Sequence, residues 1–126
     1  MDSEARCRPI VMARAGFGDR VNARCERCGS PGPLSCQHLV KRSHGGRWEP
    51  RNIVVLCGDG TTGCHGWAEK EPLAAQAEGW ALASHIEPGS RPIPHVVLGP
   101  VWLDEAGGYH FHPPAGNTCV VDGVAG

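Results

Sequence analysis

A chain of 126 residues, 40% hydrophobic but broken by 18 glycines and 11 prolines, has room for one domain with a thin core. No apolar run reaches the length of a bilayer crossing, which excludes a transmembrane helix. The net charge of −1 hides a gradient: residues 1–52 carry ten Lys or Arg against five acids, and residues 53–126 carry two against eight. A basic amino-terminal half is compatible with one face that meets phosphate, and equally with ordinary solvated charge.

In chain order, residues 1–22 mix Arg, Ala and Gly without clear periodicity and read as a basic arm or frayed helix. "CERCG" at 25–29 is a tight knuckle. "LSCQHLV" (34–40) predicts a short strand, "KRSHGGRWEPRN" (41–52) a basic loop, and "NIVVLC" (52–57) a β-branched strand. From His65 the pattern turns helical, with Pro72 opening a second short helix, where a proline is tolerated. Trp67 and Trp80 read as core anchors of that segment. "WALASHI" (80–86) and "HVVLGPVWL" (95–103) read as later strands, with Gly107-Gly108 as a turn before "YHFH". Four segments result: a basic amino-terminal arm at 1–22, a core at 23–80, a β extension at 81–113 and a flexible tail at 114–126.

Seven cysteines cannot all pair internally. The opening residues, with early acids and a short apolar run, do not read as an export signal, so a reducing, cytoplasmic setting is expected, where clustered cysteines more often hold metal. Cys25, Cys28, Cys57 and Cys64 fit a closed tetrahedral structural zinc site, one pair tightly spaced and the other stretched by "GDGTTG". A thin core gains most from such a staple. Cys7, Cys36 and Cys119 lack close partners and read as unliganded thiols.

Zinc leaves His65 over. If the two strands form a hairpin, His38 and Asn52 come near its loop end, the knuckle pins His65 on the following helix against it, and the three converge on one small basin. "CQHLVKRSHGGRWEPRNIVVLCGDGTTGCHGW" resembles the HNH endonuclease family, in the order His, Gly-Gly loop, Asn-Ile-Val, Leu-Cys and Cys-His. The continuation to about residue 112 resembles small HNH proteins of bacteriophages and prophages. This resemblance implies an α+β fold with a ββα-metal (His-Me finger) core, stapled by the four-cysteine zinc site and extended by a carboxy-terminal β-hairpin. It implies hydrolysis of DNA phosphodiesters, by nicking or double-strand cleavage, with one divalent ion, Mg²⁺ or another such as Mn²⁺ or Ni²⁺. His38 matches the general base, Asn52 the residue that holds the loop and orients that base, and His65 a metal ligand. Many relatives carry His or Asp where this chain has Gln37, whose amide oxygen can ligate but brings no charge. Glu69, one helical turn beyond His65, is the candidate to complete the set, and is as easily a surface residue. At family level the resemblance also implies a phage role beside the terminase in DNA packaging, or as a free-standing nuclease.

Lys41, Arg42, His44 and Arg47 are candidates for DNA phosphate contact; a solvated loop is the plain alternative. His110 and His112 alternate on one strand face and could hold metal; an exposed edge strand explains them as well, and they are left out of the candidate site. A non-catalytic zinc module binding nucleic acid or protein remains the competing function, and Gln37 and the overall acidic balance favour it.

Overall fold

The computed structural model describes residues 3–114. Residues 115–126, most of the expected tail, lie outside the described residues, and so does Cys119.

Helix α1 (Glu4–Ala15) opens the fold, capped by the Ser3 hydroxyl, which accepts from the Arg6 N–H. Cys7, Val11 and Ala15, spaced four apart, form its buried stripe. The segment read as an arm or frayed helix therefore contains a packed helix. Its stripe is only one residue wide and is interrupted by Pro9 and by charged residues, so it leaves little periodic signal.

Strands β1 (Leu34–His38) and β2 (Ile53–Cys57) pair antiparallel, from Leu34 opposite Cys57 to His38 opposite Ile53. Ile53 to Leu56 are all fully buried because both faces of β2 are covered. Ile53 and Val55 pack under α1. Val54 and Leu56 face the larger cluster beneath α2 (Gly63–Lys70) and α3 (Pro72–Glu78). The β1–β2 hairpin with α2 across it is a ββα unit. Pro72 does open α3, and Trp80, fully buried, anchors the larger cluster.

Residues 80–86 do not form the expected strand. Leu82 donates to the Leu39 carbonyl at 2.8 Å, after which the segment turns away. Trp80 and Ala81 are drawn into the core, and an apolar run does not by itself distinguish a strand from a buried coil. Beyond it, β3 (Ile93–His95), β4 (Gly99–Leu103) and β5 (Tyr109–His110) form a three-stranded antiparallel meander, one strand more than a hairpin. Among the described residues no helix is long and apolar enough to cross a membrane.

One buried charge pair ties these parts together. Arg14, on the last turn of α1, makes two bonds to the carboxylate of Glu26, at 3.0 and 3.1 Å, and donates to the carbonyls of Pro50 and Ile53. Glu26 also accepts from the Val55 N–H and the Tyr109 hydroxyl. Helix α1, the first cysteine knuckle, β2 and β5 thus share one carboxylate, and both side chains of the pair are fully buried. Truncating one partner strands a buried charge, so Glu26→Ala is expected to lose about 3–5 kcal/mol in denaturant unfolding. The paired change Arg14→Met with Glu26→Leu should lose less than the two single changes added together.

Candidate active site

The sulfurs of Cys25, Cys28, Cys57 and Cys64 all lie within 4.8 Å of one another. Cys28 and Cys57 are 3.6 Å apart at Sγ, close to the roughly 3.8 Å that a tetrahedral ion with bonds of about 2.3 Å imposes. Backbone N–H groups support both pairs: Cys28 N–H donates to Cys25 Sγ at 3.4 Å, and Cys64 N–H to Cys57 Sγ at 3.3 Å. The stretched spacing of the second pair is absorbed by crossed backbone. Gly58 and Gly63 have φ of 81° and 64°, and a Cβ on either would lie within 2.4 Å of a backbone oxygen. Asp59 closes the turn by accepting from the N–H groups of Thr61 and Thr62.

Arg27, inside the first knuckle, stacks 3.7 Å from the Trp67 ring and donates to Cys64 Sγ. Burial pushes the Cys64 thiol up to about 12, against the pull of Arg27. Burial also raises Cys57, but the N–H of Cys64 and the neighbouring thiols outweigh it and bring its pKa below the ordinary value. Four crowded thiols of this kind suit a soft divalent ion, whose charge stabilises the thiolate form. Cys7 and Cys36 are free thiols apart from this group.

Beside the knuckle lies a cleft of about 640 Å³, bounded by the end of β1, the basic loop, α2 and residues 81–84. His38, His65, Gln37, Glu69, Lys41, Arg42 and His44 all line it. The two histidines reach it from opposite faces of the hairpin. His38, the last residue of β1, stands across from Ile53 with its ring edge-on to Trp48, centroids 4.6 Å apart. His65, on the first turn of α2, meets the other face through Ser35, whose Oγ is 2.6 Å from its Nδ1. Burial lowers the His65 pKa, against the opposing pull of Glu69 and Asp59, which keeps the imidazole neutral at pH 7.

Around His65 the oxygen donors are specific. Glu69 Oε1 is 3.9 Å from His65 Nε2, and the other oxygen of Glu69 is 3.8 Å from Lys41 Nζ. Gln37 is buried on the His65 face of β1. Its Nε2 donates to the Trp80 carbonyl at 2.6 Å, which fixes the amide's orientation, and its Oε1 is buried with no hydrogen-bond partner. A buried acceptor without a donor is costly unless something electropositive satisfies it. The imidazole nitrogen and the carboxylate oxygen, 3.9 Å apart, are donors of the kind that suit a divalent cation, and Gln37 lines the same cleft.

Asn52 does not share the cleft with the two histidines as expected, because it is fully buried beneath the basic loop, where its amide is taken up by backbone. Its Oδ1 accepts from the Val40 N–H at 2.9 Å, and its Nδ2 donates to the carbonyls of Val40 and Arg47. The loop that follows His38 is thereby tied down at both ends. Lys41, Arg42 and His44 are exposed at the cleft. Arg47 lines instead an adjoining depression of about 250 Å³, which shares His44 with the cleft, and its guanidinium is 3.5 Å from Glu49.

Residues 25–66 match the family model described as HNH endonuclease. This stretch of the chain is an HNH domain. It takes in about a third of the sequence, and with it both cysteine pairs, the β1–β2 hairpin and His65. No curated protein and no solved structure matches the chain. HNH domains are in general nuclease domains that act on DNA with divalent metals, and about half of the residues lining the cleft, His38 and His65 among them, belong to this domain.

Two residues of the domain escape a reading of motifs. Ser35 carries no signal of its own, but it is two residues before Gln37 and so shares its face of β1. Arg27 reads as a surface charge, although its place between Cys25 and Cys28 puts a cation beside four sulfurs.

Proposed function

We propose that this protein is a divalent-metal-dependent DNA endonuclease. One observation supports this above the others: a neutral, half-buried His65 lines one cleft with Glu69, Gln37, His38 and a basic loop. In this reading Cys25, Cys28, Cys57 and Cys64 hold a structural zinc that fixes the start of α2. His65, Gln37 and Glu69 would hold the second ion, Mg²⁺, Mn²⁺ or Ni²⁺. Such an ion offsets charge on the scissile phosphate and its leaving oxygen.

His38 takes a proton from the attacking water as the P–O3′ bond breaks, and the 3′ oxygen is protonated from solvent. The products carry a 5′-phosphate and a 3′-hydroxyl. Asn52 keeps the loop behind His38 closed. Lys41, Arg42 and His44 meet backbone phosphates beside the cut, and Arg47 a flanking one, contacts that position the duplex without reading its sequence. The reducing cytoplasm suits a protein whose thiols are kept for metal.

Incubation with supercoiled plasmid and each ion in turn tests the proposal. Nicked or linear DNA is expected, with activity removed by chelation. Binding that falls steeply with salt, yet no cleavage under any ion, would instead establish a non-catalytic binding module.

A further inference from the structure

Ser35 has one hydroxyl proton and two close partners. Its Oγ is 2.7 Å from the Gly58 carbonyl oxygen and 2.6 Å from His65 Nδ1. A carbonyl oxygen can only accept, so the Ser35 proton points to Gly58. The short contact with His65 then has to be made by a proton on the imidazole. Nδ1–H donates to the Ser35 oxygen, and in a neutral ring that leaves the lone pair on Nε2. Nε2 is the atom nearest Glu69.

We infer that Ser35 is a positioning residue that holds His65 as the Nδ1–H tautomer, keeping Nε2 unprotonated towards the cleft for a divalent cation. The inference rests on the metal-ligand reading of His65 and names what prepares it. In free neutral histidine the proton prefers Nε2, the form that cannot ligate through that atom. Without an acceptor at Nδ1 the ring would therefore block its own ligand site.

The same hydroxyl gives the arrangement its reach. Gly58 follows Cys57 directly, and Cys64 precedes His65. Ser35 therefore bonds to the backbone of one cysteine knuckle and to the side chain next to the other half of that pair. A shift of the Cys57–Cys64 loop would move the Gly58 carbonyl, free the Ser35 proton to turn towards Nδ1, and force the imidazole to exchange its tautomer. The structural ion and the catalytic ion are coupled through one side chain.

The test uses the zinc-loaded full chain, with Ser35→Val compared against Ser35→Thr. The two have nearly the same shape and suit a strand, but only Thr keeps the hydroxyl. Ring ¹⁵N shifts of His65 at neutral pH, taken without added divalent ion, report the tautomer directly. The wild type and Ser35→Thr should show Nδ1 protonated and Nε2 bare. Ser35→Val should move the proton towards Nε2 and weaken Mn²⁺ binding, followed by titration, about 10–100-fold.

Nε2–H in the wild type would overturn the inference without any variant. So would a Ser35→Val protein with unchanged tautomer and Mn²⁺ affinity. Should Ser35→Val not fold, Ser35→Ala takes its place in the same comparison. Failure of the nuclease reading is separately visible: a wild type that neither binds Mn²⁺ nor nicks plasmid refutes that reading, and this inference with it, before the variants are compared.

Discussion

Cys57→Ser is expected to abolish the cooperative thermal transition, and a strong chelator should do the same to the wild type. Structural zinc sites contribute about 10–16 kcal/mol of apparent binding energy in small domains. Folding stability is only about 5–15 kcal/mol in total, so a fold that relies on such an ion does not survive its loss. The dependence is local here as well as global. Without the ion, the loop from Cys57 to Cys64 is held by the turn at Asp59 and at Gly58, whose N–H donates to the Pro33 carbonyl and whose carbonyl accepts from Ser35. It is this loop that delivers the first turn of α2 to the hairpin. The measurements are metal content, one zinc per chain in the wild type, and circular dichroism on heating. Cys36→Ser is the control: its thiol lies outside the four-sulfur group, and zinc content should not change. A metal-free wild type that melts at the same temperature would remove the ion from the account of stability.

The parts of this structure that were legible in the sequence are those whose signal is local. Four cysteines at short spacings announce their own cluster, and β2 is a continuous β-branched run. The order of His38, Asn52 and His65 around that strand follows once the hairpin is drawn. What the sequence concealed depends on distant partners. Arg14 and Glu26 look like solvated charges, and only the docking of α1 across β2 turns them into a buried pair twelve residues apart. Helix α1 was hidden for the same reason, since one of the residues on its buried side is that arginine. Residues 80–82 mislead in the opposite direction: an apolar run that suits a strand is used by the core as irregular chain. Gln37 reads as a weak candidate ligand, and only the fold shows that it is buried and held by a bond to the Trp80 carbonyl. That bond, to a carbonyl far along the chain, sets the amide's orientation, which no spacing could show.

His38→Ala should reduce plasmid nicking by about 10²–10⁴-fold, the range supplied by a positioned general base. It should leave Mn²⁺ affinity and salt-dependent DNA binding close to the wild type. This separation follows from where the side chains stand. His38 approaches the cleft from the α1 face of the hairpin, edge-on to Trp48, while the donor set of His65, Gln37 and Glu69 belongs to the α2 face and to α2 itself. On the proposed reading, removing the imidazole of His38 takes away the proton acceptor and leaves the residues that would hold the cation in place. His65→Ala should do the reverse, shifting the Mn²⁺ concentration needed for half-maximal nicking before it alters the limiting rate. Asn52→Ala belongs to neither class, because it severs the bonds to Val40 and Arg47 and frees the loop behind His38. Its effect should appear in stability, by about 1–3 kcal/mol, together with rate. If His38→Ala nicked as fast as the wild type, the proton would have to leave by another group. Beside His38 and His65 the cleft offers a third imidazole, His44, exposed on the basic loop at the same opening. Adding His44→Ala to the His38 variant would then decide whether the two share the task or neither performs it.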